Sequence, residues 1–137
     1  MIMEKYVFRS IDDAPGYKVI NENCPDGYFM NSTLFGDEPQ QKCIGDRVVN
    51  PEPHPNFHYV HRTTLPVGGM VAEHTHNGNE QFYLVLEGEG EVTLCGNKFP
   101  VKPWCLALIR DGGAHGIRNT GNTPLTYVCV ETGLVGK

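Results

Sequence analysis

Short runs of apolar and β-branched residues, separated by glycine- and asparagine-rich turns, dominate the chain after its first third. Six runs predict strands, at 57–65, 81–86, 91–94, 105–109, 116–119 and 125–131. Turn sequences such as Asn77-Gly78-Asn79 and Asp111-Gly112-Gly113 stand between them. Strands of this length and spacing are typical of an antiparallel sandwich or barrel. Because no long segment has helical periodicity, the fold is predicted to be all-β.

The run from Gln81 to Leu86 predicts how this strand packs. Alternate residues of a strand face opposite sides. One side carries Gln81, Tyr83 and Val85, and the other carries Phe82, Leu84 and Leu86. Since both sides are largely apolar, both should be covered. The barrel interior would cover one, and the N-terminal region, a second subunit or both would cover the other, so a homodimer is expected.

Residues 1–56 carry weaker patterns. Strands are possible at 5–10, 17–20 and 28–35, and turn-like sequences occupy 12–16 and 23–27. The proline-rich stretch 50–56 cannot form a regular element and is interpreted as a join. The predicted organisation is therefore one domain: an N-terminal extension over 1–56 that packs on a barrel over 57–132, followed by a tail over 133–137.

Composition narrows the classes of function. A chain of 137 residues is long enough for one domain with a proper core. The net charge of -5 and the absence of a Lys/Arg block argue against nucleic-acid and anionic-membrane partners. No apolar run is long enough to span a membrane, and the N-terminus lacks a secretory pattern. The five cysteines are odd in number and form no Cys-x-x-Cys pair. We therefore expect reduced thiols and a cytoplasmic protein.

Three histidines and a glutamine have the spacing of metal ligands. His74 and His76 are two apart, so on a strand both rings could reach one ion. Gln81 follows on the next predicted strand, and His115 comes later, after a glycine turn. Imidazole is a good ligand for Mn, Fe, Co, Ni and Zn. The sequence therefore predicts one divalent transition metal per chain, of undetermined identity.

These motifs resemble the two signatures of the cupin superfamily. The first appears as Gly68-x5-His74-x-His76-x4-Gln81-x6-Gly88, and the second as Gly112-x2-His115-x3-Asn119, with Arg110 where proline usually stands. The resemblance covers roughly residues 57 to 132. It implies a double-stranded β-helix, or jelly-roll barrel, with a metal site. It leaves the reaction open, because cupins catalyse many reactions and some are storage proteins.

The fourth ligand departs from the family pattern, which usually has Glu. The spacing to Gly88 selects Gln81, whereas Glu80 would fit a shorter spacing from His76 if the strand were bulged. One step along a strand turns a side chain to the other face, so both cannot coordinate easily. We favour Gln81. Some similar cupins use three His and one Gln, including a uronate-linearising enzyme and manganese-dependent hydroxynitrile lyases.

Three further residues are candidates for contact with a substrate. Tyr83 shares a face with Gln81, and Tyr83 or His61 could move a proton. Arg62 would suit a carboxylate-bearing substrate if it faced inward, but the sequence does not tell which face of its strand is inside.

Three functions remain open at this point. The favoured one is a metal-dependent isomerase or lyase that acts by Lewis-acid chemistry on a small polar metabolite, such as a sugar acid or a hydroxy or keto acid. An Fe(II)-dependent oxygenase is the first alternative. A non-catalytic cupin that binds a metal and a small molecule is the second.

Overall fold

The computed structural model describes Phe8, Ser10 and residues 16–22, 24–31, 43–44 and 57–134. Within these residues every regular element is a strand. The strands are β1 (Gly16–Asn21), β2 (Cys24–Asn31), β3 (Cys43–Ile44), β4 (Phe57–Leu65), β5 (Met70–His74), β6 (Asn79–Glu87), β7 (Gly90–Leu94), β8 (Asn97–Val101), β9 (Leu106–Ile109), β10 (His115–Asn119) and β11 (Leu125–Gly133). The predicted all-β fold is confirmed.

The strands form two antiparallel sheets that make the barrel wall. The larger sheet has the order β3-β1-β2-β4-β11-β6-β9, and the smaller has the order β5-β10-β7-β8. The N-terminal strands continue the larger sheet, because β2 pairs with β4. The division into an extension over 1–56, a barrel over 57–132 and a tail over 133–137 stays a prediction.

The predicted strands of the barrel are confirmed, with end points that differ by a few residues. The strand β8 was not predicted, because Lys98 and Pro100 interrupt its apolar pattern. The turn predicted over 23–27 is wrong for its last four residues, which lie in β2. The β1–β2 register shifts at this point, and the turn-forming residues become an irregularity within the strand.

Other N-terminal expectations are only partly tested. Phe8 and Ser10, from the strand predicted at 5–10, lie in no regular element. The other residues of that run and the proline-rich stretch 50–56 lie outside the described residues.

The inner face of the larger sheet changes from apolar to polar along the barrel. At one end Leu65 pairs with Leu125, and neither is exposed to solvent. The neighbouring rows are Thr63–Tyr127–Val85 and then His61–Cys129–Tyr83–Ala107. The last row, about 20 Å from Leu65 at strand spacing, is Tyr59–Glu131–Gln81–Ile109. Polar groups therefore collect at one end of an otherwise apolar interior.

Within the described part of the chain, no helix is long and apolar enough to cross a bilayer.

Candidate metal centre

Three imidazoles converge at the polar end of the barrel. His74 and His115 are paired residues of β5 and β10, and His76 follows β5 by two residues. The ring centroids are 4.4 Å apart for His74–His115, 4.9 Å for His76–His115 and 5.6 Å for His74–His76. One ligand atom from each ring lies within 4.8 Å of the other two. This spacing allows all three nitrogens to bind one ion.

Hydrogen bonds select the same nitrogen of each ring as the free ligand atom. The Nδ1–H groups of His74 and His115 donate to the carbonyls of Ala72 and Gly113, both at 2.8 Å. His76 Nδ1 donates to Asn79 Oδ1 at 2.6 Å. An oxygen acceptor at Nδ1 places the proton there and leaves the Nε2 lone pair free. Such outer contacts are the usual way in which proteins orient metal-binding histidines.

His115 is the most enclosed of the three rings. Its side chain has no solvent exposure, and its Nε2 is buried without a hydrogen-bond partner. The pKa of His115 is lowered from 6.5 to about 4, chiefly by burial, with smaller lowering contributions from His74 and His76 and a raising contribution from the hydrogen bond to the Gly113 carbonyl. The ring is therefore neutral at physiological pH, as a metal ligand must be.

Gln81 supplies a second orphaned polar atom at this end of the barrel. The residue is buried, and its amide Nε2 donates to the Tyr59 hydroxyl and, at 3.0 Å, to Glu131 Oε1. The amide oxygen Oε1 is buried and accepts no hydrogen bond. The same Glu131 Oε1 lies 4.0 Å from His76 Nδ1, so the Gln81 amide nitrogen and this imidazole nitrogen share one carboxylate oxygen as a neighbour. An unsatisfied buried acceptor costs about 1–3 kcal/mol, so an oxygen left in this state is expected to have a ligand.

The predicted ligand set therefore fits a metal ion. Three neutral imidazole nitrogens and one amide oxygen suit a divalent transition metal. Glu80 is adjacent to Gln81 on β6 but pairs with Thr132, and it is absent from the cluster of potential ligands among the described residues. The geometry thus favours Gln81, as the spacing to Gly88 indicated.

The backbone of β5 and β10 brings the imidazoles together through a bulge. The register between these strands shifts between His115 and Ile117. A Cβ atom on Gly116 would stand 2.8 Å from both the Glu73 nitrogen and the Val71 oxygen. Glycine at this position lets the bulged part of β5 approach the backbone of β10 closely. His74 directly follows this bulged part. His76 lies beyond the end of β5, so strand alternation was not the reason for its convergence with His74.

Tyr83 and His61 lie on the inner face, one row below Gln81. The Tyr83 ring is buried, with its centroid 5.9 Å from that of His115. His61 is also buried, stacks on Tyr59 with centroids 4.7 Å apart, and hydrogen-bonds the Thr63 hydroxyl at 3.3 Å. The Tyr83 ring is therefore close to the cluster, whereas His61 lies in the same row on β4. The substrate roles of both residues stay predictions.

Arg62 lies on the opposite face of β4. It alternates with the buried residues His61 and Thr63 and is only half-buried. The expectation of an inward Arg62 depended on the other choice of face, so the structure does not bring this side chain to the cluster. Its role in binding a carboxylate stays a prediction without geometric support.

Three residues of the site had no specific role from sequence: His58, Tyr59 and Glu131. They meet Gln81 through the pairing of β4, β11 and β6, in which Tyr59 and Gln81 both pair with Glu131. His58 Nδ1 bonds Glu131 Oε2 at 2.9 Å, where the β4–β11 register shifts. A bulge re-aims one side chain, which accounts for the proximity of His58 to the inward-facing Glu131. Alternation in β4 marked Tyr59 as sharing a face with His61, but no sequence signal locates such a bulge.

Comparisons with known proteins agree with the fold. The family model described as "Cupin domain" matches residues 61–131, more than half of the chain. An uncharacterized protein of Methanocaldococcus jannaschii is 37% identical over 81 residues, covering 56% of this chain and 65% of that protein. An oxalate-binding protein of Thermotoga maritima is 38% identical over 69 residues, covering 50% and 57%. The match thus spans less than two thirds of either relative.

A solved structure shows the same architecture over nearly the whole chain. The crystal structure of a predicted oxalate decarboxylase from Thermotoga maritima superposes with a TM-score of 0.72 at 26% identity, and the match covers 94% of this chain and 100% of that one. The jelly-roll barrel, the two motifs and the family match lead to one conclusion: the chain belongs to the cupin family.

Proposed function

We propose that this protein holds one divalent transition metal on His74, His76, His115 and Gln81 and uses it to act on a small carboxylate-bearing metabolite. The observation that carries the proposal is the pair of buried, unpartnered atoms, His115 Nε2 and Gln81 Oε1. A metal bound there would act as a Lewis acid, and a neutral amide in place of the family's carboxylate leaves it with more of its positive charge.

The charges around the cluster indicate that an anionic substrate would depend on the metal for binding. Among the described inward-facing residues of β4, β6 and β11, none is Lys or Arg. A carboxylate would therefore find its counter-charge at the metal. The names of relatives point to the same chemistry, since one is an oxalate-binding protein and a structural neighbour is a predicted oxalate decarboxylase.

The favoured reaction type is isomerisation or elimination on a sugar acid or a hydroxy or keto acid. Tyr83 and His61 are the proposed proton-moving residues, because they stand one row below Gln81 on the inner face. The buried Tyr83–His115 contact positions the phenol next to the metal ligands while the interior excludes water. Such placement within reach of the substrate is the first requirement for a general acid or base.

Metal content and ligand binding test this proposal together. The double variant His74→Ala/His76→Ala should lose stoichiometric metal by elemental analysis. It should also lose calorimetric binding of oxalate and of a panel of hydroxy, keto and sugar acids. The matched control is Thr75→Ala, which removes an exposed side chain between the two histidines. A double variant that keeps metal and ligand binding would contradict the proposal.

A second candidate is a non-catalytic cupin that captures a small carboxylate. The similarity to an oxalate-binding protein favours it specifically. Incubation of the metal-loaded protein with each bound acid, followed by ¹³C NMR, separates the two candidates: new resonances indicate catalysis, and unchanged ligand indicates capture. Dioxygen consumption in the same incubation would indicate the oxygenase alternative.

We also propose that two copies of the chain associate through the outer face of β9. This strand ends the larger sheet, and Leu106 and Leu108 on it are more than half exposed, at 59% and 53%. Trp104, just before it, is 78% exposed. Exposed apolar groups of this size next to an open sheet edge are typical of interaction surfaces. The cytoplasmic location expected from the cysteine pattern stays a prediction.

A further inference from the structure

Four side chains form a continuous hydrogen-bonded chain behind the proposed metal centre. The Gln81 amide nitrogen donates to the Tyr59 hydroxyl and to Glu131 Oε1, and the other carboxylate oxygen accepts from His58 Nδ1 at 2.9 Å. We call Tyr59, Glu131 and His58 the Gln81 array. The Glu131 side chain is only 13% exposed, whereas His58, at 36%, reaches solvent.

The array fixes which end of the Gln81 amide faces the metal. A primary amide has two N–H donors on one side and one acceptor oxygen on the other. The carboxylate of Glu131 can only accept, so the amide nitrogen must be the atom beside it. With both protons used by Glu131 and Tyr59, the oxygen is left without a partner in the buried interior. An amide turned the other way would present N–H groups, which cannot bind a cation.

Compared with the usual family motif, the array places the negative charge next to the proposed fourth ligand and not on it. Where the family motif usually has Glu as a ligand, this chain has Gln81, and the carboxylate of Glu131 stands one hydrogen bond away at 3.0 Å. If residue 81 were Glu, two carboxylates would occupy that contact with no N–H between them. Like charges at this separation disfavour each other strongly in a buried site.

We propose that Tyr59 and Glu131 are positioning residues that hold Gln81 Oε1 as the fourth metal ligand, and that the side chains at positions 81 and 131 are therefore interdependent. Glutamine at 81 requires a carboxylate at 131, and glutamate at 81 requires a neutral hydrogen-bond donor there. This inference rests on the proposed function for the presence of a metal and adds the residues that determine the ligand.

Metal affinity in a set of single and double variants tests the proposal. The Kd for Mn²⁺ is measured by competition with a chelator, and the visible spectrum of the Co²⁺-loaded protein reports the ligand set. Tyr59→Phe and Glu131→Gln should each weaken Mn²⁺ binding about tenfold or more, as loss of an outer-shell partner does. Both should shift the Co²⁺ spectrum.

Two matched controls separate positioning from general damage. Tyr127→Phe removes a buried hydroxyl from the same face of the sheet, and Glu87→Gln removes an exposed charge at the far end of β6. Both should bind Mn²⁺ within about twofold of the wild type, even if Tyr127→Phe unfolds at lower temperature.

The decisive comparison is the effect of Glu131→Gln in two backgrounds. In urea denaturation of the metal-free protein, Glu131→Gln should lower the free energy of unfolding in the wild type but raise it in Gln81→Glu, because there it removes the repulsion between two carboxylates and supplies an N–H to the introduced glutamate. A purely structural role would give the same sign in both. Equal signs, or a Tyr59→Phe affinity equal to that of Tyr127→Phe, would overturn the inference. A wild-type protein that binds no metal would instead contradict the proposed function.

Discussion

Replacement of Gly116 by alanine should detach His74 from the metal centre without unfolding the barrel. The new Cβ would stand 2.8 Å from the Glu73 nitrogen and the Val71 oxygen, and 3.0 Å from Glu73 Cα. These are backbone atoms of β5, so no side chain can rotate away to make room. Ordinary contact begins near 3.4 Å, so β5 must move by about 0.6 Å.

A displacement of β5 by this amount would disturb a metal site, but the barrel can absorb it without unfolding. Metal–ligand distances tolerate changes of only about 0.2 Å, and His74 directly follows the displaced residue Glu73. We therefore expect Mn²⁺ affinity to fall about ten- to a hundredfold, which is the loss usually seen when a residue that orients a metal ligand is replaced. The strain of an added methyl group in a packed interior should lower the free energy of unfolding by about 1–3 kcal/mol.

A second glycine on the same sheet provides the control. A Cβ on Gly90 would stand 2.5 Å from the Arg118 oxygen and 2.7 Å from Leu125 Cδ2, a clash as severe as that at Gly116. Gly90 pairs with Asn119, at the end of β10 far from His115. Gly90→Ala should therefore lose stability in urea denaturation but keep wild-type affinity in chelator competition. If Gly116→Ala binds Mn²⁺ as well as Gly90→Ala, close approach at Gly116 does not position His74.

The remaining predictions concern stability and assembly. Because the pKa of His115 is about 4 in the folded chain against an ordinary 6.5, the unfolded state binds more protons between these values. Urea denaturation of the metal-free protein should therefore show stability falling by up to about 3 kcal/mol from pH 6.5 to 4, and a His115→Gln variant should lack that component. Trp104 has a φ of +73° and is largely exposed, so Trp104→Gly should raise the free energy of unfolding by about 1 kcal/mol in the same assay. A decrease would mean that the contacts of the indole ring stabilise the fold by more than the backbone strain costs. Leu106→Lys/Leu108→Lys should shift sedimentation from dimer to monomer, and unchanged sedimentation would exclude β9 as the interface.

The three-histidine cluster and the proposed fourth ligand could be predicted because their chemistry and spacing are both visible in the sequence. His74, His76 and His115 have few alternative uses as a set, and Gln81 follows from its distance to Gly88. Alternation along β4 gave two faces and placed His61 and Arg62 on different ones. It could not decide which was inside, because that choice depends on the pairing of β4 with β11.

The Gln81 array could not be predicted, because each of its contacts depends on register between distant strands. Tyr59 and Glu131 are opposite each other only in one pairing of β4 with β11. His58 meets Glu131 at a bulge, and a displaced bulge would move it to the other face. β8 was missed for a simpler reason, since lysine and proline are tolerated there at the edge of the smaller sheet.

The polarity of the interior explains how one small barrel can hold both a stable core and a costly site. Leu65, Leu125 and Val85 close one end, and all three are almost completely buried. The orphaned atoms of His115 and Gln81 stand toward the other end, where the paired row is polar rather than aliphatic. Because contacts in the two regions are largely separate, their energies should be nearly additive. Changes in the polar row can therefore alter the proposed site while the aliphatic rows continue to specify the fold, which is consistent with the many reactions that this family carries on one architecture.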